Sequence, residues 1–400
     1  MKRKTLEIAK DVLIAVLICS LVLLVRQLLP GASAEPRDAQ PVQTEAEVAI
    51  ASKPIVISLR GEIGRASIAG DETALEMAWE QWGSLLGQAM ETAQTPQEQP
   101  EEAFLQALEA PSVLFSFAGR IPSQAIGAWL GAPAAALDGA WQDYLLSVRD
   151  GGVYLWAYGE PCQSCKTQLP AQTLEGLLSD LTPDGSAFYF ERTDDRAAHP
   201  LTLWSDGAVS VPSASWENPV TGAWATSLAT ALSFNPYGSG TYTDPQGNTV
   251  FTESSRTLSV ELSGKVLLQR TNEEGSLGTA GEQSASFVEA ARAVAGAICA
   301  DCGDAKLYLT DFSQDGDQTV CRFQYVLGGI PFSPDAAVVT FSGSEIVSVE
   351  ALARVIHPAA GTETLMPVHA AAAISPQGSR VSVCYALAQS GAVTAGWSHS

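Results

Sequence analysis

From Pro54 onward, apolar residues recur along the chain at the spacings of short helices and strands. The first helix is predicted to start at Thr73, because Thr73 and Glu76 form a capping-box signal. Its apolar stripe consists of Leu75, Trp79, Trp82 and Leu86. Apolar positions at this spacing share one helix face, so both tryptophans are interpreted as core residues. The polar, Pro- and Gln-rich residues 92–103 that follow predict a loop.

The clearest strand signal is a hairpin over residues 145–158 that turns at Asp150-Gly151. Its side chains alternate, with Val153 and Leu155 on one side and Tyr154, Trp156 and Tyr158 on the other. Because both sides are apolar, both faces of the sheet are expected to be covered. Helices over 123–130 and 170–181, with strands over 55–60, 112–118, 188–191 and 201–204, complete a predicted N-terminal α+β unit over residues 54–213.

The second half of the chain is predicted to be richer in strands. Residues 214–283 form a β-rich middle segment, in which a helix around 224–232 precedes a turn-rich meander over 234–262. Residues 284–400 begin with a helix, continue with strands over 306–311, 319–327, 337–341 and 346–352, and end with a helix over 365–374 and strands over 381–387 and 393–397. The predicted fold class is therefore α+β, with antiparallel sheets and packed helices.

The N-terminus predicts a membrane anchor. Residues 12–25 carry no charge, and two further leucines follow Arg26, so that residues 12–29 are about long enough to form one transmembrane helix. Lys2, Arg3, Lys4 and Lys10 precede the span, which predicts a cytoplasmic tail over residues 1–11 and an extracytoplasmic body. Residues 30–53 are acidic and Pro-rich and are predicted to form a linker. Ala32, Ser33 and Ala34 resemble a signal-peptide cleavage site, and cleavage there would also export the body.

Charge narrows the range of partners. The chain carries a formal net charge of −22 at pH 7. A strongly anionic body repels phosphates, so we expect no binding to nucleic acid.

Cysteine usage agrees with export. Outside the apolar span the cysteines are Cys162, Cys165, Cys299, Cys302, Cys321 and Cys384. All six are candidate disulfide partners, and an even number in an exported body is typical of a disulfide framework, although six cysteines allow 15 pairings. A Cys321–Cys384 bridge is the preferred long-range pairing. Cys162 with Cys165 is interpreted as a structural pair, with a redox-active dithiol as the alternative.

Motifs for catalysis are missing from the sequence. The four histidines are scattered, and no nucleophile elbow, phosphate-binding loop or metal-ligand spacing is present. The two C-x-x-C pairs lie too far apart for a zinc ribbon. We therefore expect no enzymatic activity, no metal and no cofactor.

The order of features resembles the YycH/YycI family of Gram-positive bacteria. The resemblance is carried by the basic end with one anchor, by YTDPQGNTVF leading into RTLSV within residues 234–260, by GGIPF at 328–332, and by a terminal Gly396-Trp397. It implies an anchored ectodomain with PepSY-like helix-on-sheet subdomains. It also implies association with a related YycH- or YycI-like protein and modulation of the WalK sensor histidine kinase, which controls cell-wall metabolism.

Regulation by contact requires differential binding to two states of a partner and no chemistry. Ala15 and Cys19 are small residues of the apolar span and are the hypothesised contact with kinase helices, with plain anchoring as the alternative. Two other functions stay open. One is an extracytoplasmic PepSY-like binding protein or protease inhibitor, and the other is a thiol-disulfide protein that uses Cys162 and Cys165.

Overall fold

Two large, mainly antiparallel sheets form the framework of the protein. The computed structural model describes residues 51–132, 136–272, 276–388 and 392–399. The predicted tail (1–11), the predicted transmembrane helix (12–29) with its candidate contact residues Ala15 and Cys19, and most of the predicted linker (30–53) lie outside the described residues. The described part confirms the α+β class with antiparallel sheets and packed helices.

The first sheet has seven strands in the order β2-β1-β4-β5-β6-β7-β3. These strands are β1 (Val56–Arg60), β2 (Arg65–Ala69), β3 (Gln97–Gln99), β4 (Ser112–Pro122), β5 (Ala140–Arg149), β6 (Gly152–Ala157) and β7 (Cys162–Pro170). The helices beside it are α1 (Glu72–Thr92), α2 (Glu101–Glu109), α3 (Ser123–Trp129) and α4 (Ala171–Leu178). The predicted hairpin is confirmed, since Asp150 and Gly151 turn between β5 and β6 with positive φ angles of 51° and 73°.

Both faces of this sheet are covered, as the alternation in the hairpin predicts. Val153 and Leu155 pack into a core that includes the buried side of α1. Trp156 lies in a second core on the other face, with Phe104 and Leu108 of α2. Two-sided burial explains why every residue of β4 from Ser112 to Phe117 is buried.

The second sheet has eleven strands, ten of them in the order β20-β19-β15-β14-β16-β17-β12-β11-β10-β9, with β13 paired to β14. Its strands are β9 (Thr241–Thr243), β10 (Thr249–Thr252), β11 (Arg256–Val260), β12 (Lys265–Arg270), β13 (Lys306–Asp315), β14 (Gln318–Leu327), β15 (Ile330–Ser333), β16 (Ala337–Ser342), β17 (Glu345–Leu352), β19 (Val381–Leu387) and β20 (Val393–His399). Only the β15–β19 pairing among these is parallel. The strands of the β-rich middle segment extend the C-terminal sheet directly, because β12 pairs with β17.

Three further helices accompany the second half: α5 (Gly222–Ala231), α6 (Ser284–Ile298) and α7 (Val368–Ile374). The α6 helix lies on the second sheet, and the rings of Phe287 and Phe341 meet edge-on with centroids 5.1 Å apart. The first half repeats this pattern, since α1 packs on β1, β6 and β7. Each half of the body is thus a helix on an antiparallel sheet.

Several local predictions were wrong. The first helix is capped by Asp71, whose carboxylate accepts the Ala74 N–H at 3.0 Å, and not by Thr73. Residues 92–103 are not a loop throughout, because Gln97–Gln99 pair with β7 and α2 starts at Glu101. Two acidic residues in the first turn favour a helix start, and the buried Phe104 anchors it.

The two predicted strands near residue 200 are also absent from the described residues, apart from a single bridge between Phe188 and Leu203. Tyr189–Glu191 form a 3₁₀ turn instead, because the Glu191 carboxylate accepts the Phe188 N–H and pairs with the buried Arg65. The boundary predicted between residues 213 and 214 lies within β8 (Val209–Glu217). This strand pairs with β18 (Val355–Leu365), which the sequence did not predict.

The two sheets meet where β4 crosses β13. Between Ser116 and Ile121 the pairing of β4 with β5 is interrupted by a bulge. The bulge brings Gly119 against β13 so closely that a Cβ on Gly119 would lie 1.6 Å from the carbonyl oxygen of Thr310. The neighbouring Arg120 pairs with Asp311 at 2.8 Å. No side chain other than hydrogen fits at Gly119 without separating the two backbones.

Gly119→Ala is therefore expected to destabilise the protein by about 2 kcal/mol or more, because backbone atoms must move to admit the methyl group. Chemical denaturation of the full chain measures the effect. Gly176→Ala is the matched control, since Gly176 lies in α4 with open space at its Cβ position. That change should stabilise the protein by about 0.5–1 kcal/mol through helix propensity. Equal, small effects of the two substitutions would contradict a tight crossing.

Candidate coupling site

Residues Ala51, Ser52 and Lys53, which we name the tether root, enter the body between its two halves. The Ala51 N–H donates to the carbonyl oxygen of Leu307 in β13 at 2.8 Å. The Ser52 hydroxyl accepts from Arg292 of α6 at 3.0 Å. Lys53 is 7 % exposed and reaches the first turns of α1. The end of the predicted linker is thus held by both helix-on-sheet halves.

An ion cluster of Lys53, Glu72, Glu76 and Lys306 fixes the root. Lys53 Nζ lies 2.5 Å from Glu72 Oε1 and 2.8 Å from Glu76 Oε1. Lys306 of β13 reaches the same two oxygens at 3.0 and 2.8 Å. Two cations against two carboxylates leave the cluster neutral, which offsets the cost of burying Lys53.

The cluster keeps its carboxylates ionised. Hydrogen bonds from Lys306 and Lys53 lower the pKa of Glu76 to about 2. Burial opposes ionisation of Glu72, but hydrogen bonds from the same two lysines outweigh it and hold the pKa of Glu72 below its ordinary value. Both carboxylates therefore stay charged through the whole neutral range.

An open groove of about 390 Å³ runs along α1 beside the end of α3. The lining residues that define it are Trp79, Glu80, Gly83, Gly87, Glu91 and Trp129. Two glycines shape it. A Cβ on Gly83 would lie 3.0 Å from the Trp79 ring, and one on Gly87 would lie 3.1 Å from the Leu130 carbonyl oxygen. Glycine at both positions lets the Trp79 ring and the end of α3 pack directly against the α1 backbone.

The groove is connected to the tether root through Arg292. The Trp129 indole N–H donates to Glu289 of α6 at 2.7 Å. The Arg292 guanidinium lies 4.9 Å from the centre of the Trp129 ring, pairs with Glu289, and donates to Ser52. Trp129 and the root therefore share Arg292 as a common contact.

A second polar network ties the first sheet to the segment before β19. Asp143 of β5 is 2 % exposed and pairs with Arg380 at 2.6 Å. Arg380 lies 3.5 Å from Nδ1 of His199, whose ring meets the Tyr158 ring with centroids 4.8 Å apart. The Tyr158 hydroxyl donates to Glu101. Each group has an internal partner, which is the arrangement of a network that stabilises the fold.

The cysteines do not form a reactive site in this structure. All six described cysteines are free thiols. Cys162 and Cys165 lie three residues apart on one strand, about 10 Å, and a disulfide needs Cα atoms within about 7 Å. Their side chains also point into different cores. The predicted C-x-x-C pair, whether structural or redox-active, therefore does not fit this geometry.

The preferred Cys321–Cys384 bridge does not fit the sheet register either. Strand β15 lies between β14 and β19, and Cys321 pairs with Val339 five residues along β14 from the contact with β15. Two strand spacings alone separate the chains by about 10 Å. Cys299 and Cys302 both lie buried in the main core at the end of α6, and they stay a candidate pair.

The sequence predicted the elements of the site but not the site itself. Both tryptophans pack on the core as predicted, since Trp82 is 4 % exposed and the Trp79 ring meets Phe115 edge-on at 5.9 Å. Trp79 is only half-buried, however, and its other contacts line the groove. The described residues contain no group of three or more His, Cys, Asp or Glu placed to hold a metal ion. Within the same part of the chain, no helix has both the length and the apolar character needed to cross a membrane.

Fold and site together define an α+β body of two helix-on-sheet halves. The halves are joined where β4 crosses β13, and both of them bind the tether root. Comparison with protein-family models, with curated proteins and with solved structures returned no match to this chain.

The His199 network predicts sensitivity to acid. Burial, followed by the nearby Arg380, lowers the pKa of His199 from 6.5 to about 3. The unfolded chain takes up a proton below pH 6.5 while the folded chain does not, so stability falls as the pH drops from 6.5 towards 3. At pH 5 the loss from this group is about 2 kcal/mol.

His199→Asn removes this titration and should flatten the dependence of unfolding free energy on pH between 6.5 and 5. His399→Asn, at an exposed histidine, is the matched control for the substitution itself. A stability difference between the native chain and His199→Asn that stays constant with pH would contradict the lowered pKa.

Buried thiols should react slowly. Burial raises the pKa of Cys165 and Cys302 to about 11 and that of Cys299 and Cys321 to about 12. Because the thiolate is the reactive form, an alkylating reagent should label these cysteines only after denaturation. Peptide mapping after labelling with and without denaturant measures this, and rapid labelling of Cys165 in the folded chain would support the alternative of a redox-active dithiol.

Proposed function

We propose that the protein is a membrane-anchored extracytoplasmic regulator that modulates a WalK-like two-component sensor histidine kinase by protein–protein contacts. In this proposal residues 12–29 form a single transmembrane helix, with the N-terminus in the cytoplasm. The helix-on-sheet halves act as PepSY-like units that engage the kinase or a YycH/YycI-like partner.

The tether root carries this proposal. A tether that only displays a domain needs no attachment beyond the peptide bond. Here Ala51, Ser52 and Lys53 are bound by α1, α6 and β13, so a shift between the two halves changes the contacts of the segment leading to the anchor. Differential contact of this kind is what a regulator requires in order to bias a partner between two states.

The first experiment is crosslinking and co-purification from native membranes. The full chain is compared with a version in which residues 1–34 are replaced by an unrelated single-span anchor. We expect the native chain to capture a sensor kinase or a related partner, with loss of kinase capture on the swap, because in this proposal the small residues Ala15 and Cys19 make the helix contact. Capture of neither partner by either form would contradict the proposal.

A point variant tests the root separately from the anchor. Lys53→Met should retain capture but alter kinase output, because it removes one cation from the cluster and frees the root from α1. Lys265→Met is the matched control, since Lys265 forms only an exposed pair with Glu350 at 3.6 Å. Identical kinase output from both variants would limit the root to a structural role.

A further inference from the structure

The groove along α1 carries uncompensated negative charge. Glu80 and Glu91 are both exposed, and neither forms an ion pair or a hydrogen bond with any residue that the structure describes. No lysine, arginine or histidine contributes to the described lining. The other two glutamates of α1, Glu72 and Glu76, are paired in the ion cluster. The groove thus presents two unpaired carboxylates to the solvent.

The spacing of the two carboxylates matches an elongated ligand. Glu80 and Glu91 are eleven residues apart on α1, which places them on nearly the same helix face and about 16 Å apart. Between them the Trp79 ring lies against Gly83 and Leu130 lies against Gly87, and all four residues line the groove. A small amine would meet one carboxylate at a time, whereas a chain segment lying along the groove meets both.

The walls suit cationic side chains. Trp79 and Trp129 border the groove, and indole rings attract ammonium and guanidinium groups. The protein itself already uses one of these rings in this way, since Arg292 lies 4.9 Å from the centre of Trp129 on the side of α6. Carboxylates beside aromatic rings complement the charge and the alkyl stem of lysine or arginine.

We propose that this groove binds a basic peptide segment of a protein partner. The segment carries two lysine or arginine residues that reach Glu80 and Glu91. In an extended segment, side chains on one face are an even number of positions apart and each residue spans about 3.3 Å, so the basic residues are about four positions apart and their flexible stems cover the remaining distance.

This inference deepens the proposed function, because it names the chemistry of a partner contact that lies one side chain from the tether root. A segment seated against Trp129 presses on the residue that Arg292 holds, and Arg292 also binds Ser52. Occupancy of the groove is thereby linked to the segment that leads to the anchor.

The test measures binding to the purified full chain in non-ionic detergent at low ionic strength, by fluorescence anisotropy. The probe is a labelled, end-blocked pentapeptide with lysine at positions 1 and 5 and alanine between them. A second peptide has norleucine at both positions, which keeps the stems and removes the charges. Unlabelled 1,5-diaminopentane serves as a competitor that offers the charges without a peptide.

The charge variants are matched. Glu80→Gln with Glu91→Gln removes both groove charges, and Glu98→Gln with Glu175→Gln removes two exposed, unpaired charges elsewhere on the described surface. We expect the lysine peptide to bind and the norleucine peptide not to bind. The groove variant should weaken binding at least about fivefold, and the control variant less than about twofold.

Equal weakening by both variants would reduce the effect to general attraction and overturn the proposal. Equal binding of the norleucine peptide would remove the charge argument, and displacement by diaminopentane at the same concentration as unlabelled peptide would replace the peptide by a free amine. The two proposals fail separately. Kinase capture without peptide binding overturns only the groove, whereas peptide binding without capture overturns only the kinase.

Discussion

The structure depends on the contact between two backbones at Gly119 and Thr310. Strand β4 belongs to the first sheet and β13 to the second, and their closest approach leaves no room for a methyl group. Backbone atoms cannot relax by changing rotamer, so this crossing resists separation of the two sheets more strongly than packed side chains would. The pair formed by Arg120 and Asp311 lies directly beside it.

The crossing also explains why the tether root lies where it does. With β13 held against β4, the start of β13 and the start of α1 come close enough for Lys306 and Lys53 to share Glu72 and Glu76. A buried lysine with a single carboxylate would gain little over water, whereas a neutral cluster of four charges holds all its members. The root is therefore a product of how the halves meet and not of its own three residues.

Sequence reasoning succeeded where the signal is local. The hairpin at Asp150-Gly151 and the strand alternation around it depend on turn chemistry and on the period of a strand, and both survive in the fold. The α6 helix begins at Ser284 as its apolar spacing indicates. Elements that form only by pairing with a strand distant in the sequence could not be predicted. Residues 97–99 have the composition of a polar loop but form a strand because they pair with the edge of β7. In the same way, β18 forms because it pairs with β8.

The candidate site also depends on residues that are distant in the sequence, so it could not be predicted. Lys53 and Lys306 are far apart in the sequence, and nothing in either neighbourhood marks them as partners. Trp79 shows the same limit within one helix, because helical spacing cannot distinguish a buried position from one beside an open groove. The signal that could have revealed the groove is the pair Gly83 and Gly87 inside an otherwise good helix former, since glycine there is unfavourable unless something must approach closely.

The cysteines show how secondary structure decides chemistry. A C-x-x-C pair at a helix start brings two thiols together and lowers a thiol pKa, but on β7 the same spacing sends Cys162 and Cys165 to opposite faces. The anionic surface that disfavours phosphates favours basic chains, and along α1 that charge stands unpaired beside two indole rings. Binding energy at the proposed peptide site would come from ion pairs screened by salt and from desolvated stems against tryptophan, so the contact would be reversible.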